Sequence, residues 1–211
     1  MRDTILRAAE ELFKHYGFSK TTVGDIARAC SMSPGNLYRY FRNKQDIGRA
    51  VVIGFFEMQQ AEMESSLMLP GGTAAERLRR LVRCGVAQLV HHMEQDPRIL
   101  ELADFICDDL EGKEALGVHI AWKEAAFARE IRRGMESGDF AGGDPEALGA
   151  AVLAATKAYW MPMALAHMGE REEVMRTLDS VLDLLLAGLA ARAAPAGGSS
   201  PAPLSSAGER G

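Results

Sequence analysis

Cysteine is scarce: Cys30, Cys84 and Cys107 are the only three among 211 residues. An odd number without a close pair excludes a disulfide framework or a zinc ribbon and fits a reducing compartment. Strand-like alternation and any repeat period are missing, which leaves an all-α architecture. No long hydrophobic run occurs. The longest candidate, Ala147 to Met168, carries Lys157, Pro162 and His167 and reads as a buried helix. The first residues, Met-Arg-Asp-Thr-Ile-Leu-Arg, reach charge before an apolar h-region can form, so a secretory signal is not expected and the cytoplasm is the expected location.

The signatures of common enzyme classes are missing too. There is no Gly-x-Ser-x-Gly elbow, no phosphate-cradling glycine loop and no His-Glu-x-x-His, so no catalytic residue and no cofactor is assigned. No metal site is expected either. The neighbours His91 and His92 point about 100° apart on a helix, and Cys84 with His91 gives only two ligands on one face. Asp104, Asp108 and Asp109 make an acidic edge that fits a solvated face. A small helical enzyme using His119, Asp104 and Lys123 is the rival from another class.

Net charge is −5, which on its own argues against a nucleic-acid binder. Its distribution reverses that argument: residues 1–50 hold 9 Lys/Arg against 5 Asp/Glu, whereas residues 51–211 hold 15 against 24. The positive part contains the most structured stretch of the chain, Thr21 to Lys44. Thr22 followed by Asp25 reads as a capping box opening a short helix with Val23, Ile26, Ala27 and Cys30 on one face. After the turn Ser31-Met32-Ser33, Ser33 as N-cap and Pro34 at the first position open a second helix. Leu37 and Phe41 face inward there, leaving Gly35, Asn36, Tyr38, Arg39 and Tyr40 outward. Gly35 permits close approach to a groove and Asn36 can pair with adenine. The phenols, Arg39 and Lys44 can bond phosphates. The expected DNA contacts are Thr22, Ser33, Pro34, Gly35, Asn36, Tyr38, Arg39, Tyr40 and Lys44.

These residues carry a resemblance. Thr-Thr-Val-x-Asp-Ile-Ala, Ser33-x-Gly35-x-Leu37-Tyr38-x-Tyr40-Phe41 and the following Lys44 resemble the DNA-binding domain of TetR-family repressors. The motif covers about residues 3–54, with a shorter pattern from Gly138-Asp139-Phe140 to Asp144-Pro145. Ser31 departs from it, standing where the family usually has a turn glycine, which predicts modest backbone strain or a slightly altered turn. The resemblance implies a homodimeric regulator, expected to be a repressor, that binds double-stranded palindromic operator DNA. It also implies a body with a pocket for a small apolar or amphipathic effector. A DNA-binding regulator answering to a protein partner, without a cavity, is the alternative.

In chain order, Asp3 is expected to cap a first helix, bearing Ile5, Ala9, Leu12, Phe13 and Tyr16 and ended by Gly17. With the two short helices it makes a three-helix reader over residues 1–50. A six-helix body follows over 51–192. A long helix from Lys44 to about Met68 joins the two, and Thr73–Glu76 and Asp96-Pro97 begin the next pair. A further helix carries Leu116 to Met135. Asp144-Pro145 opens another that runs to about Met168 and should kink at Tyr159 to Pro162. The last, Glu170 to Arg192, carries more leucine than one core face needs, so the last two helices are expected to form a two-fold, four-helix dimer interface. Residues 193–211 are 16 of 19 Ala, Pro, Gly or Ser and read as a disordered tail. Among the large body residues, Phe105, Trp122, Phe127, Tyr159 and Met163, with Trp160 and Met161 beside them, are the candidates for an effector cavity.

Overall fold

The computed structural model describes residues 1–96 and 98–191, and the expectation for the tail lies outside them. The described residues form ten α-helices and no strand: α1 (Arg2–Tyr16), α2 (Val23–Ala29), α3 (Pro34–Leu37), α4 (Lys44–Ser66), α5 (Ala74–Gln95), α6 (Ile99–Asp108), α7 (Leu110–Ser137), α8 (Pro145–Ala155), α9 (Pro162–Leu165) and α10 (Arg171–Ala191). None of these helices is long and apolar enough to cross a membrane.

Side-chain caps set most helix starts. Thr22 and Asp25 bond each other's backbone N–H groups in a complete capping box, as Thr73 and Glu76 do at α5. Ser33, Asn43, Asp109 and Asp144 each accept an N–H of the helix they open. Two starts differ from expectation. Asp3 lies inside the first turn of α1, whose N-cap Met1 makes no side-chain bond. Asp96 closes α5 instead of opening the next helix, which begins at Ile99.

Two buried clusters form. Ile5, Ala9 and Phe13 of α1 enclose Ile26, Leu37, Phe41 and Ile47, and α6 of the body inserts Leu102 among them. The larger cluster joins α5, α7, α8 and α10, with Leu81, Phe127, Ile131, Leu178 and Leu182 at its centre. Each such leucine contributes about 1.5–3 kcal/mol by leaving water, so the inner stripe of α10 by itself anchors that helix. The pair α7 and α8 packs backbone to backbone: a β-carbon on Gly149 would stand 2.7 Å from the Glu124 carbonyl. Glu130, fully buried on α7, bonds Arg77 at 2.8 Å and Arg133 at 2.9 Å, the charged partners a buried carboxylate requires.

The helix expected over 144–168 is divided in three. It stops at Ala155, a 3-10 turn covers Lys157–Trp160, and α9 starts at Pro162. Pro162 forces Met161 out of the helical region, to φ −110 and ψ 111. The break starts earlier than the expected Tyr159, because the Thr156 hydroxyl turns back to the Val152 carbonyl at 2.8 Å and accepts the Trp160 indole N–H at 3.0 Å. Ser31 has φ 55, the positive value its place in the turn predicts.

Candidate functional site

The outer face of α3 and the turn after it is polar and exposed. Tyr38 is 53% and Tyr40 42% accessible, and Pro34, Gly35 and Arg39 are exposed beside them. Asn36 is half-buried at the helix start. Arg28 and Arg42 are paired, at 3.1 Å with Asp25 and at 2.8 Å with Asp46. Arg39 has no ion pair among the described residues and is an unneutralised cation of this surface. Thr22 and Ser33 are exposed, but their oxygens accept the N–H groups of Asp25 and Asn36 at 3.2 Å, and the Thr22 hydroxyl donates to Asp25 at 2.6 Å. Lys44 is placed differently from expectation. Its ammonium donates to the carbonyls of Phe18 and Ser19 at 2.9 and 3.2 Å and lies 4.6 Å over the Phe18 ring, so it staples α4 to the end of α1.

Beneath the reader, the body encloses a cavity of about 550 Å³, within the range of small-molecule sites. Phe55, Phe56 and Gln59 of α4 form one side, with Leu89, His92 and Asp96 of α5 behind them. His119, Ile120 and Lys123 of α7 face them, Met161 and Met163 bound the chain break, and Phe13 and Lys14 of α1 reach in from the reader. Of the five residues expected there, Met163 lines the cavity and four do not. Phe105 stacks on Phe18 at 4.6 Å, against the reader core. Phe127 lies one turn beyond Lys123, where the space has closed around Trp160, and is fully buried. Tyr159 is buried in the main core because neighbours in a 3-10 turn point about 120° apart and Trp160 takes the cavity side. Trp122 sits on the flank of α7, its ring 6.3 Å from that of His119.

The polar part of the wall is an ordered chain. Gln59 donates its amide N–H to the Gly85 carbonyl at 2.9 Å, which turns its oxygen toward His119 Nε2, also at 2.9 Å. His119 Nε2 therefore carries the proton and Nδ1 accepts from Gln60 at 3.1 Å. Burial, with the Lys123 charge added, pushes the His119 pKa down to about 3, and Phe56 stacks on the neutral ring at 4.2 Å. Lys123 is 5% exposed, its pKa pushed down to about 7 by burial, and its ammonium lies 4.2 Å over the Trp160 ring. The pair His119 and Lys123, four apart on one helix, was visible as titratable residues in an apolar setting. Phe55 and Phe56 were visible as apolar residues on more than one side of α4.

Helix α6 borders both the cavity, through Leu102, Ala103, Ile106 and Cys107, and the reader. Its Glu101 accepts the Ser19 N–H at 2.9 Å, Leu102 is buried in the reader cluster, and Phe105 makes the stack on Phe18. Gly17, at φ 88, has no β-carbon to collide with the Glu101 carboxylate. At the end of α6, Asp109 accepts from Arg49 of α4 at 2.7 Å and from the Gly112 N–H at 2.8 Å. Arg49 also bonds Asp46 and, at 2.7 Å, Glu111.

Residues 5–51 match a family model described as bacterial regulatory proteins, tetR family, and residues 74–182 match one described as tetracyclin repressor-like, C-terminal domain. The regulator UidR of Escherichia coli strain K12 is 36% identical over 52 residues, 25% of this chain and 26% of its own length. The repressor KstR2 of Mycolicibacterium smegmatis is 26% identical over 123 residues, 54% of this chain and 58% of its own. The chain thus spans about a quarter to under two thirds of these relatives. The fold is shared with the regulator FadR from Bacillus subtilis in complex with stearoyl-CoA, at a TM-score of 0.66 and 19% identity over 89% of this chain and 99% of that one. With one family model on the helix-turn-helix and the other on more than half the chain, this protein belongs to the TetR family of DNA-binding transcriptional regulators.

Proposed function

We propose that this regulator is a cytoplasmic, homodimeric repressor that leaves a palindromic operator when an amphipathic, largely apolar molecule enters the cavity. Residues 1–50 read DNA in this scheme, and 51–192 bind the effector and the second subunit. The observation that carries the reading is the position of α6, which borders the cavity and also holds Ser19, Phe18 and the reader core. A molecule seated against Ala103 and Ile106 pushes the element to which the reader is fastened. The name of the repressor KstR2 supports repression, and the stearoyl-CoA bound to FadR supports an amphipathic ligand.

On DNA, Asn36 and Arg39 read base edges, Tyr38 and Tyr40 hold phosphates, and Gly35 and Pro34 let the helix start come close. The dimer forms through the outward faces of α8 and α10. Leu184 is 77% exposed on the side of α10 opposite Leu178 and Leu182, with Ala187 and Gly188 next to it, and α8 presents Ala147 and Ala151. Half-sites one helical turn apart, about 34–36 Å, are expected.

Calorimetric titration of amphipathic compounds into the protein, with and without a duplex from the DNA upstream of its own gene, tests the scheme. A hundredfold loss of operator affinity corresponds to about 2.7 kcal/mol of coupling, and the operator must weaken effector binding by the same factor. Equal affinities with and without operator would refute release by this route.

A further inference from the structure

The cavity wall contains a buried ammonium that the protein itself does not balance. Lys123 is nineteen-twentieths buried and lines the cavity, yet no carboxylate forms an ion pair with it among the described residues. Burial pushes its pKa down, to about 7. The Trp160 face at 4.2 Å offers partial compensation only.

The other cavity-facing charges are in a different position. Lys14 bonds Glu10 at 2.8 Å, and Asp96, whose Oδ1 has no hydrogen-bond partner, acts on Lys14 electrostatically. Asp104 and Lys157 are exposed. Glu124 is half-buried and turned about 100° from Lys123 on the same helix. His119 is neutral with both ring nitrogens engaged by Gln59 and Gln60, so it neither competes for an anion nor contributes a charge. The two poles are separated along the cavity. The Trp160 ring beneath Lys123 lies against Gly85, and Asp96 is eleven residues further along α5, about 16 Å at helical rise.

We propose that the effector is an amphipathic carboxylic acid whose carboxylate pairs with Lys123 over Trp160 and whose apolar body lies between Phe55, Phe56 and Ile120. This rests on the reading of the cavity as the effector site. A single lysine, with no second buried cation beside it, balances one negative charge and leaves a phosphate dianion half uncompensated. Lys123 is then a specificity device: a carboxylate pairs with the ammonium and holds its proton, whereas neutral compounds of the same shape leave it unpaired or deprotonated.

The test uses the full-length protein and three compounds of equal chain length: decanoic acid, decan-1-ol and decyl phosphate. Calorimetry gives affinity and operator-duplex anisotropy gives release, for the wild type, Lys123→Met and Lys123→Arg. Decanoic acid should bind the wild type at least tenfold tighter than either other compound and release the operator. Lys123→Arg should keep that preference, and Lys123→Met should abolish it while binding the alcohol at least as well as the wild type does. Equal binding of acid and alcohol by the wild type, tighter binding of the phosphate, or an acid preference that survives in Lys123→Met would overturn the proposal and leave the effector cavity standing. Binding of none of the three, or binding that leaves operator affinity unchanged, would overturn the effector reading as well.

Discussion

The reader and the body bury side chains equally well but solve different problems. In the reader every charge close to the core is satisfied within a few residues or by a neighbouring helix: Asp25 by Thr22, Asp46 by Arg42, and Lys44 by the carbonyls of Phe18 and Ser19. Arg39, which has no ion pair among the described residues, is on the outside. In the body the order is reversed, because Lys123, a cation without an ion pair among the described residues, is buried, whereas Leu184 and Ala187 of α10 and Ala147 and Ala151 of α8 are exposed. A surface that meets DNA can keep its charge in water until binding. A cavity that selects a ligand must keep its charge where only the ligand reaches it, at a cost in stability.

The sharpest way to break this contrast is to alter the body and lose DNA binding. If α10 forms the proposed two-fold interface, Leu184→Asp places a charge in it, repeated in both subunits, and should give monomer by light scattering with operator binding reduced below detection. A folded, dimeric variant would show that α10 does not form the interface.

The next effect is on stability and depends on pH. Folded, Lys123 loses its proton near pH 7, whereas the unfolded chain keeps it to about pH 10. The unfolded state therefore holds more protons between those values, and this group makes stability rise with pH there. Below about pH 7 its full burden is present. Lys123→Met should accordingly be more stable than the wild type by a few kcal/mol in urea melts at pH 6, with the difference vanishing near pH 10. His119, held neutral down to about pH 3, acts at lower pH: stability is lost as pH falls from about 6.5, where the unfolded imidazole takes up a proton that the folded one refuses. A difference between Lys123→Met and wild type that stays constant from pH 6 to pH 10 would contradict the account of Lys123.

The smallest effects separate two kinds of reader residue. Asn36→Ala should cost about 1–3 kcal/mol on the cognate operator and little on random duplex. Lys44→Ala should lower the melting temperature and weaken all duplexes alike with the salt slope unchanged, since its donors are engaged inside the protein. A slope lowered by about 1 would mean that Lys44 exchanges its carbonyls for a phosphate on binding.

Much of this molecule was legible in the chain because the deciding interactions are local. Thr22 with Asp25, Ser33 with Pro34, and Asp144 with Pro145 satisfy helix-end N–H groups within three residues, so the helix starts, the helix-turn-helix and the strained Ser31 could be read without knowing what packs on them. The same locality placed Asn36, Tyr38, Arg39 and Tyr40 on an outer face. What only the tertiary structure decided are the relations between helices far apart in sequence. Large aromatic type did not separate Phe105, which meets Phe18 across 87 positions, from Phe56, which covers His119 in the cavity. Both are phenylalanines on amphipathic helices, and which one borders empty space depends on how α4, α6 and α7 cross. Lys44 carried the mark of a phosphate contact until the end of α1 brought two carbonyls to it. Lys123 stood out only as a titratable residue grouped with His119 and Asp104, and its burial over Trp160 came with the packing. Burial and pairing are properties of the packed assembly, and no window of neighbouring residues contains them.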